Sequence, residues 1–524
     1  MKRIRSKVTQ NILANFAGNV WVGLITIAGI PWLIQLVGLE GYGLIGVYLV
    51  LSNISVLFNA GLSNTLNCEL ARLSGTGENR RVNEMFRSLE VVCWGMVALA
   101  TVVLLSASPL ISLYWLNARA TAQHELLTSI VAMTLAITLA IPFRLYLGGL
   151  LGLQRQVTSS ILLAAVSTLR LLGGILIVMS FGGGAATFFY WQILISLVAV
   201  AGGRWQLKRH LPAARDGEGF SFQMLGSLKG LVAGMSGVSI AGIAFSQLDK
   251  VVLSKILTLA EFGQYSVAAS LASSVVWFVN PISSALFPRF TELAAGKGRH
   301  SVLVDVFHSG SQLVALLVLP ACMTGVFFAK DVLQLWAGDT VANETVCNVL
   351  VILVLGSALN ALLHVPHVLQ LAHGWTSLTI GSLVLAIVAM IPLTVVMAMN
   401  FGPVGGATSW FVANLALLLI TPHFMHARLL NSEKYRWYWQ SVVCPFAIAT
   451  LCAALGRYLT PQPTSGATVV AAVAATLVAT WIGVGAALPI ARVRFVTAVK
   501  TRISGAPNVG PPSGPTIQKI RAEN

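Results

Sequence analysis

Runs of eighteen or more mostly apolar residues recur along the whole chain. As a helix, each is long enough to cross about 30 Å of hydrocarbon. A helix also satisfies its own backbone hydrogen bonds where no water is present to do so. A membrane barrel would instead show short segments of alternating polarity. The chain therefore reads as an all-α polytopic membrane protein. Its composition agrees: of 524 residues, 56% are hydrophobic and 10% are charged, against about 25% charged in ordinary globular chains. The hydrophobic pattern predicts helices over 11–37, 43–67, 86–116, 124–152, 157–180 and 185–207. It predicts a second set over 229–257, 262–288, 303–337, 344–371, 375–400 and 404–430, and two more over 437–459 and 466–489, about fourteen in all.

The chain is doubled. Residues 38–47, GLEGYGLIGV, align without gaps with residues 258–267, TLAEFGQYSV, at an offset of 220. The same offset pairs MSFG at 179–182 with MNFG at 399–402. A register kept over that distance points to two copies of one six-helix unit. Six is an even number, so both copies enter the membrane in the same direction and are related by a pseudo-two-fold axis along its normal. Transporters that rock two halves around a central site are built this way. The expected organisation is an N-terminal half at 1–207, a cytoplasmic linker at 208–228, a C-terminal half at 229–430, two extra helices at 437–489 and a basic tail at 490–524. The tail contains GAPNVGPPSGP, a composition of disordered segments.

The net charge of +16 is a matter of placement. Of the 33 Lys and Arg, 27 fall on one side of the predicted helices, four on the other, and Arg170 and Lys250 lie inside helices. This asymmetry places both termini in the cytoplasm and removes any need for a nucleic-acid partner. The six cysteines are scattered with no CxxC pair, so neither a zinc site nor a disulfide framework is indicated, and all six read as buried structural residues.

Polar residues inside such helices carry the functional information, because a charge at mid-membrane costs about 2.5–3.5 kcal/mol and must face protein or a watery cavity. Arg170 is the deepest charge in the chain, flanked by LLAAVSTL and LLGGILIV. It reads either as a structural arginine held by carbonyls or as a cavity residue that grips an anion bidentately. Asp249 and Lys250 lie in the outer half of the helix SQLDKVVLSKIL. Adjacent helical residues point about 100° apart, so each is expected to find a separate partner, or Lys250 to snorkel outward. Asp249 reads either as half of an interhelical ion pair or as the carboxylate that takes a coupling proton or sodium ion. Arg144 aligns with His364 at the repeat offset, with His367 a turn further on, which suggests a lining position in both halves. Asn11, Asn15 and Asn19 share one helix face and read equally as interhelical glue or as the wall of a polar path. Gly148 and Gly152 have the spacing of close helix packing. No HExxH, GxSxG, Walker loop or carboxylate cluster is present, so the chain reads as a transporter without a cofactor, not an enzyme. Without an ATP site, uphill transport would draw on an ion gradient.

Several stretches resemble a known family. NILANFAGNVWVGLITIAGIPWLIQLVGLEGYGLIGVY, GGLLGLQRQVTSSI and SQLDKVVLSKILTLAEFGQYSVA are similar to segments of Wzx-like polysaccharide flippases, over roughly residues 8–430. The resemblance implies the fold of the multidrug/oligosaccharidyl-lipid/polysaccharide exporter superfamily. It implies a polyprenyl-pyrophosphate-linked oligosaccharide as substrate, moved across the bacterial inner membrane for exopolysaccharide, capsule or O-antigen synthesis. It also implies that Arg144, Arg170 and Lys250 receive the substrate, that Asp249 couples or gates, and that polymerase and export machinery are partners. A multidrug/cation antiporter of the same superfamily, a flippase for the peptidoglycan lipid precursor, and a membrane polymerase or glycosyltransferase of the same pathway are the alternatives.

Overall fold

The computed structural model describes residues 2–73, 78–212, 220–296, 300–339, 341–460 and 465–489, leaving aside the side chains of 2–16, 19, 58, 60, 227 and 229–236. Eleven helices among the described residues are long and apolar enough to cross a membrane. Two of these runs are each a pair of helices. Lys2–Leu73 holds 72 residues and is broken at Gly38 (φ 71°). Thr376–Leu429 holds 54 and is broken at Gly402 (φ 57°). At 1.5 Å per residue a straight 54-residue helix would be about 81 Å long, so both must turn. Left-handed backbone at the turn selects glycine.

Numbered along the chain, the helices are α1 (2–37), α2 (39–73), α3 (Asn79–Trp115), α4 (Gln123–Gly152), α5 (Gln156–Phe181), α6 (Gly184–His210), α7 (Phe222–Ile256) and α8 (Leu259–Ala295). They continue as α9 (His300–Phe327), α10 (Ala329–Ala337), α11 (Glu344–Ala372), α12 (376–401), α13 (403–429), α14 (Lys434–Leu459) and α15 (Gly466–Ala487). All except the short α10 have the length of a membrane span, about fourteen passes. The predicted helix over 303–337 is divided: α9 ends at Phe327, and α10 is a separate nine-residue amphipathic segment after Phe328. It ties to other helices through Trp336 Nε1, which donates to the Ile27 carbonyl of α1 at 3.0 Å, and Asp331, which accepts from Arg457 of α14 at 2.9 Å. Mean apolarity alone does not separate such a segment from the helix it follows.

The repeat is written in the backbone. Gly182 ends α5 at φ 68°, ψ −146°, and Gly402 ends α12 at φ 57°, ψ −137°. The α4–α5 turn is closed by Leu153, Gln154 and Arg155, whose N–H groups donate to the carbonyls of Gly149, Leu151 and Leu150. The α11–α12 turn repeats each bond 220 residues on: His373, Gly374 and Trp375 donate to Leu369, Leu371 and Gln370. Gln154 and Gly374, at the same place in this turn, are both left-handed (φ 58° and 69°).

The two copies of the opening motif also meet each other. A Cβ on Gly43 would lie 2.1 Å from the Leu259 carbonyl oxygen, and one on Gly263 would lie 2.2 Å from that of Leu39. These are the same contact seen from both sides, since 43 and 39 become 263 and 259 at the repeat offset. Gly46 of α2 likewise packs on its own counterpart, Ser266 of α8. Such reciprocity is the signature of an isologous interface about a two-fold axis. Beside it, Leu259 donates its N–H to Asn117 at 2.9 Å, and Trp115 donates to Ser254 at 3.1 Å. Tyr42, Phe262 and Tyr265 are fully buried in this seam. Away from the seam, side chains such as Leu99, Leu176, Val388 and Leu419 face outward, as they must in lipid.

The six cysteines are all unpaired, and Cys93 and Cys322 are buried as expected. Cys68 on α2 departs from that expectation and is exposed.

Candidate functional site

Between the halves, along the inner faces of α2 and α7, lie two adjoining cavities. The first, of about 420 Å³, is walled by α1 (Thr26, Ile27), α2 (Asn53), α7 (Ser246, Gln247, Asp249, Lys250), α8 (Ser273, Trp277), α11 (Asn360) and α13 (Trp410). It reaches up to Gly46 and Ser266 at the seam. The second, of about 330 Å³, is lined by Asn59, Ser63, Asn64 and Asn67 of α2, Arg144 and Gly148 of α4, and Ser239 and Ile243 of α7. Both volumes suit a small-molecule or head-group site.

Asp249 and Lys250 overturn one expectation. They pair with each other: Lys250 Nζ lies 3.1 Å from both carboxylate oxygens of Asp249. The 100° between adjacent positions separates short side chains, but the four-carbon lysine stem curls back along the helix. Lys250 also donates to the Ser246 carbonyl at 3.1 Å and stands 5.7 Å from the centre of the Trp410 ring. Asp249 is fully buried and also accepts a short hydrogen bond from the Tyr265 hydroxyl of α8. The chain's acidic cavity residue is thus neutralised and tied to the seam helix.

Arg144 is exposed into the second cavity, part-way along α4. Below it the α2–α4 contact is very close. Gly148 packs on Ser63, Gly152 packs on Asn67 and Leu70, and Ser63 donates to the Arg144 carbonyl at 3.0 Å. The glycine spacing read from the sequence serves this approach. Arg170 sits in a π-helical turn of α5, Leu169–Gly173, a distortion frequent at functional positions. Gln192 and Trp191 of α6 donate to the turn's freed carbonyls at Arg170 and Leu169. The guanidinium donates to Ser196 at 3.0 Å, while its buried Nε has no partner. Arg170 does not line either cavity. Among the described residues neither arginine is ion-paired with a carboxylate.

His364 is partly exposed on α11 but is absent from both cavity walls, and His367 Nε2 is buried without a partner. The equivalence of Arg144 and His364 therefore holds in register but not in use. The side chains of Asn15 and Asn19, like that of Asn11, lie outside the described residues.

The sequence reading passed over the amides of α2. Asn59, Ser63 and Asn67 recur every four residues and fall on one helix face, with Asn53 and Asn64 beside it. That signal was available in the same form as the Asn11–Asn19 stripe. It also missed Glu90 of α3, which binds Arg204 of α6 at 2.6 Å and accepts from Tyr146 at 2.8 Å. Arg204 lies inside α6, as the predicted helix over 185–207 has it, and this carboxylate compensates it.

The comparisons with known proteins agree with this architecture. The profile of the family described as "Polysaccharide biosynthesis protein" matches residues 8–294, more than half of the chain. Among curated proteins, the chain is similar to the probable low-salt glycan biosynthesis flippase Agl15 of Haloferax volcanii, 24% identical over 196 residues. That alignment covers 37% of this chain and spans 39% of the relative's length. Among solved structures, it is similar to the lipid II flippase MurJ in an inward closed conformation, with TM-score 0.69, 9% identity and 94% of this chain and 99% of that one covered. It is similar also to an inward-facing multidrug resistance MATE transporter of the MOP superfamily, with TM-score 0.65, 13% identity and 79% and 96% covered. At such identities these likenesses speak to the fold alone, a two-halved helix bundle. A doubled six-helix membrane bundle, a polar cavity between its halves and a matching profile over more than half of its length together place this chain in the polysaccharide biosynthesis protein family.

Proposed function

We propose that this protein is a flippase for a polyprenyl-pyrophosphate-linked oligosaccharide, working by alternating access in the bacterial inner membrane with both termini in the cytoplasm. The observation that carries this reading is the charge of the cavity. Arg144 enters it without a carboxylate partner among the described residues. The one buried acid on the wall, Asp249, is already matched by Lys250. An unpaired arginine in a low-dielectric cavity favours an anion, and its planar donors suit a pyrophosphate. The same arrangement disfavours the cation antiporter, which needs an unneutralised acid in the cavity.

On this reading the Gly43–Gly263 seam is the closed outer end, and the cavity walled by Asn67 and Arg144 faces the cytoplasm. A substrate phosphate that drew Lys250 away would leave Asp249 as a bare buried carboxylate, which would then take up a proton or sodium ion. Substrate entry and ion uptake would be linked in this way. A surface polymerase and export machinery would receive the product.

The test is deletion followed by analysis of lipid-linked sugars. The reading expects polyprenyl-pyrophosphate oligosaccharide to accumulate in the inner leaflet and surface polymer to be lost. Normal polymer with heightened drug sensitivity would instead establish the antiporter.

A further inference from the structure

The arginines account for an anion but not for a carbohydrate, and the cavity holds a second, uncharged feature. On α2, Asn53 faces the first cavity, and Asn59, Asn64 and Asn67 face the second. From Asn53 to Asn67 is fourteen residues, or about 21 Å along the helix. Asn59 is buried, with 1% of its surface exposed. Its Nδ2 donates to the Ile141 carbonyl of α4 at 2.7 Å, but its buried Oδ1 has no partner. A buried unpaired acceptor is costly unless a ligand or water completes it. Among the described residues, Asn53, Asn64 and Asn67 also have no protein partner for their amides.

The repeat supplies an internal control. The positions equivalent to Asn53, Asn59, Asn64 and Asn67 on α8 are Ser273, Val279, Ser284 and Phe287. The shared backbone therefore does not require amides at these places. Only the half that carries the unpaired arginines has them.

We propose that this face of α2 is a carbohydrate-reading track, and that its amides, not the arginines, distinguish a sugar-bearing lipid from a bare lipid pyrophosphate. A sugar hydroxyl both donates and accepts, and a primary amide offers two donors and an acceptor to meet it. Arg144, among the described residues the only charged one on the second cavity's wall, would hold the phosphate end while the neutral amides meet successive hydroxyls. A site that offers hydrogen bonds to hydroxyls rejects an analogue without them, because its own buried groups are then left unpaired. This inference rests on the flippase reading and names the residues that would make it selective.

The experiment uses the full-length protein in lipid nanodiscs and two probes. One is undecaprenyl pyrophosphate without sugar. The other is the lipid-linked oligosaccharide pool extracted from a strain lacking this chain. The triple variant N53A/N64A/N67A, at exposed or half-buried positions that leave the Asn59–Ile141 bond intact, should bind the sugar-bearing pool about tenfold more weakly. Its affinity for the bare lipid should be unchanged, whereas Arg144→Ala should weaken both. Equal loss on both probes by a variant that keeps the wild-type melting temperature, or loss on neither, overturns the track. If the wild-type protein binds neither lipid, or no such pool accumulates, the flippase reading itself fails and the track fails with it. A triple variant that does not fold would show as loss of the bare lipid as well. The single variants N64A and N67A, each expected to lower affinity for the sugar-bearing pool alone, then decide.

Discussion

Where the second half has Asp249 and Lys250, the first has Gly29 and Ile30; where the first has Arg170 and Ser196, the second has Met390 and Ala416. The backbone around these positions is the same to the level of individual turn hydrogen bonds. Gly29 packs against Leu171 and Ile30 is buried, so in the first half that site is plain packing. Met390 is buried in the second half, where the first half keeps a guanidinium. A duplicated fold has thus been given two chemistries. One half holds unpaired cations and amides, and the other holds a closed ion pair. The frame sets where a side chain can enter the cavity, and the two copies of the sequence use those places differently.

The sharpest break in this comparison lies at Arg144. Arg144→Ala, at normal protein levels, should abolish complementation of a deletion strain, and Arg170→Ala should do the same if its charge acts with that of Arg144. His364→Ala, at the equivalent place in the other half, should retain most activity, since His364 stands off the cavity wall. A loss as large as that of Arg144→Ala would restore the symmetry denied here.

Next in size is the seam. Replacing Gly43 or Gly263 by Val forces a side chain against the facing carbonyl, a strain of about 1–3 kcal/mol. Because the contact is reciprocal, the two variants should impair closure of the outer end equally. Labelling of a single cysteine introduced in the first cavity would read that closure. Unequal effects would show that the axis is not shared.

The ion pair should behave differently from the arginines. Removing one partner of a buried pair typically costs about 3–5 kcal/mol, while removing both is far milder. Lys250→Met should therefore lower thermal stability in detergent more than D249N/K250M does. The double variant should fold but lose its dependence on an ion gradient. A double variant as unstable as the single would mean that the pair carries more than mutual compensation.

The smallest effect lies outside the duplicated unit, where α14 joins α9. Glu433, in the loop before α14, lies 2.8 Å from His308 of α9 and 3.3 Å from Arg436. Partial burial pushes its carboxyl up, but the His308 hydrogen bond and the charges of His308 and Arg436 outweigh this and hold it below the usual range. A lowered carboxylate contributes stability above its unfolded value of about 4.3. That stability is lost as the pH falls through the lower folded value. The contribution should be under about 1 kcal/mol. Melting curves between pH 6 and pH 3 should show wild type converging on Glu433→Gln at the acid end. Parallel curves would dismiss the pair.

The membrane class, the two copies and their 220-residue register were all legible, because hydrocarbon imposes long apolar runs and tight turns impose glycine. Gly182 and Gly402 appear in the sequence as recurring tetrapeptides and in the structure as the same left-handed turn. The site was legible only in part. Asp249, Lys250 and Arg144 stand out because charge is scarce in such helices, and all three reach a cavity. His364 followed from register and does not. The α2 asparagines carried a readable spacing, but amides are cheap enough in membrane helices not to announce themselves.

The sequence by itself determined that this chain crosses a membrane many times in two like halves, because solvent chemistry acts on every residue locally. Only the tertiary structure decided which polar groups are already satisfied. Lys250 is spent on Asp249 and Arg204 on Glu90, while Arg144 and the Asn59 carbonyl oxygen are left open. Pairing is a matter of distances across helices, and no spacing along one chain contains them.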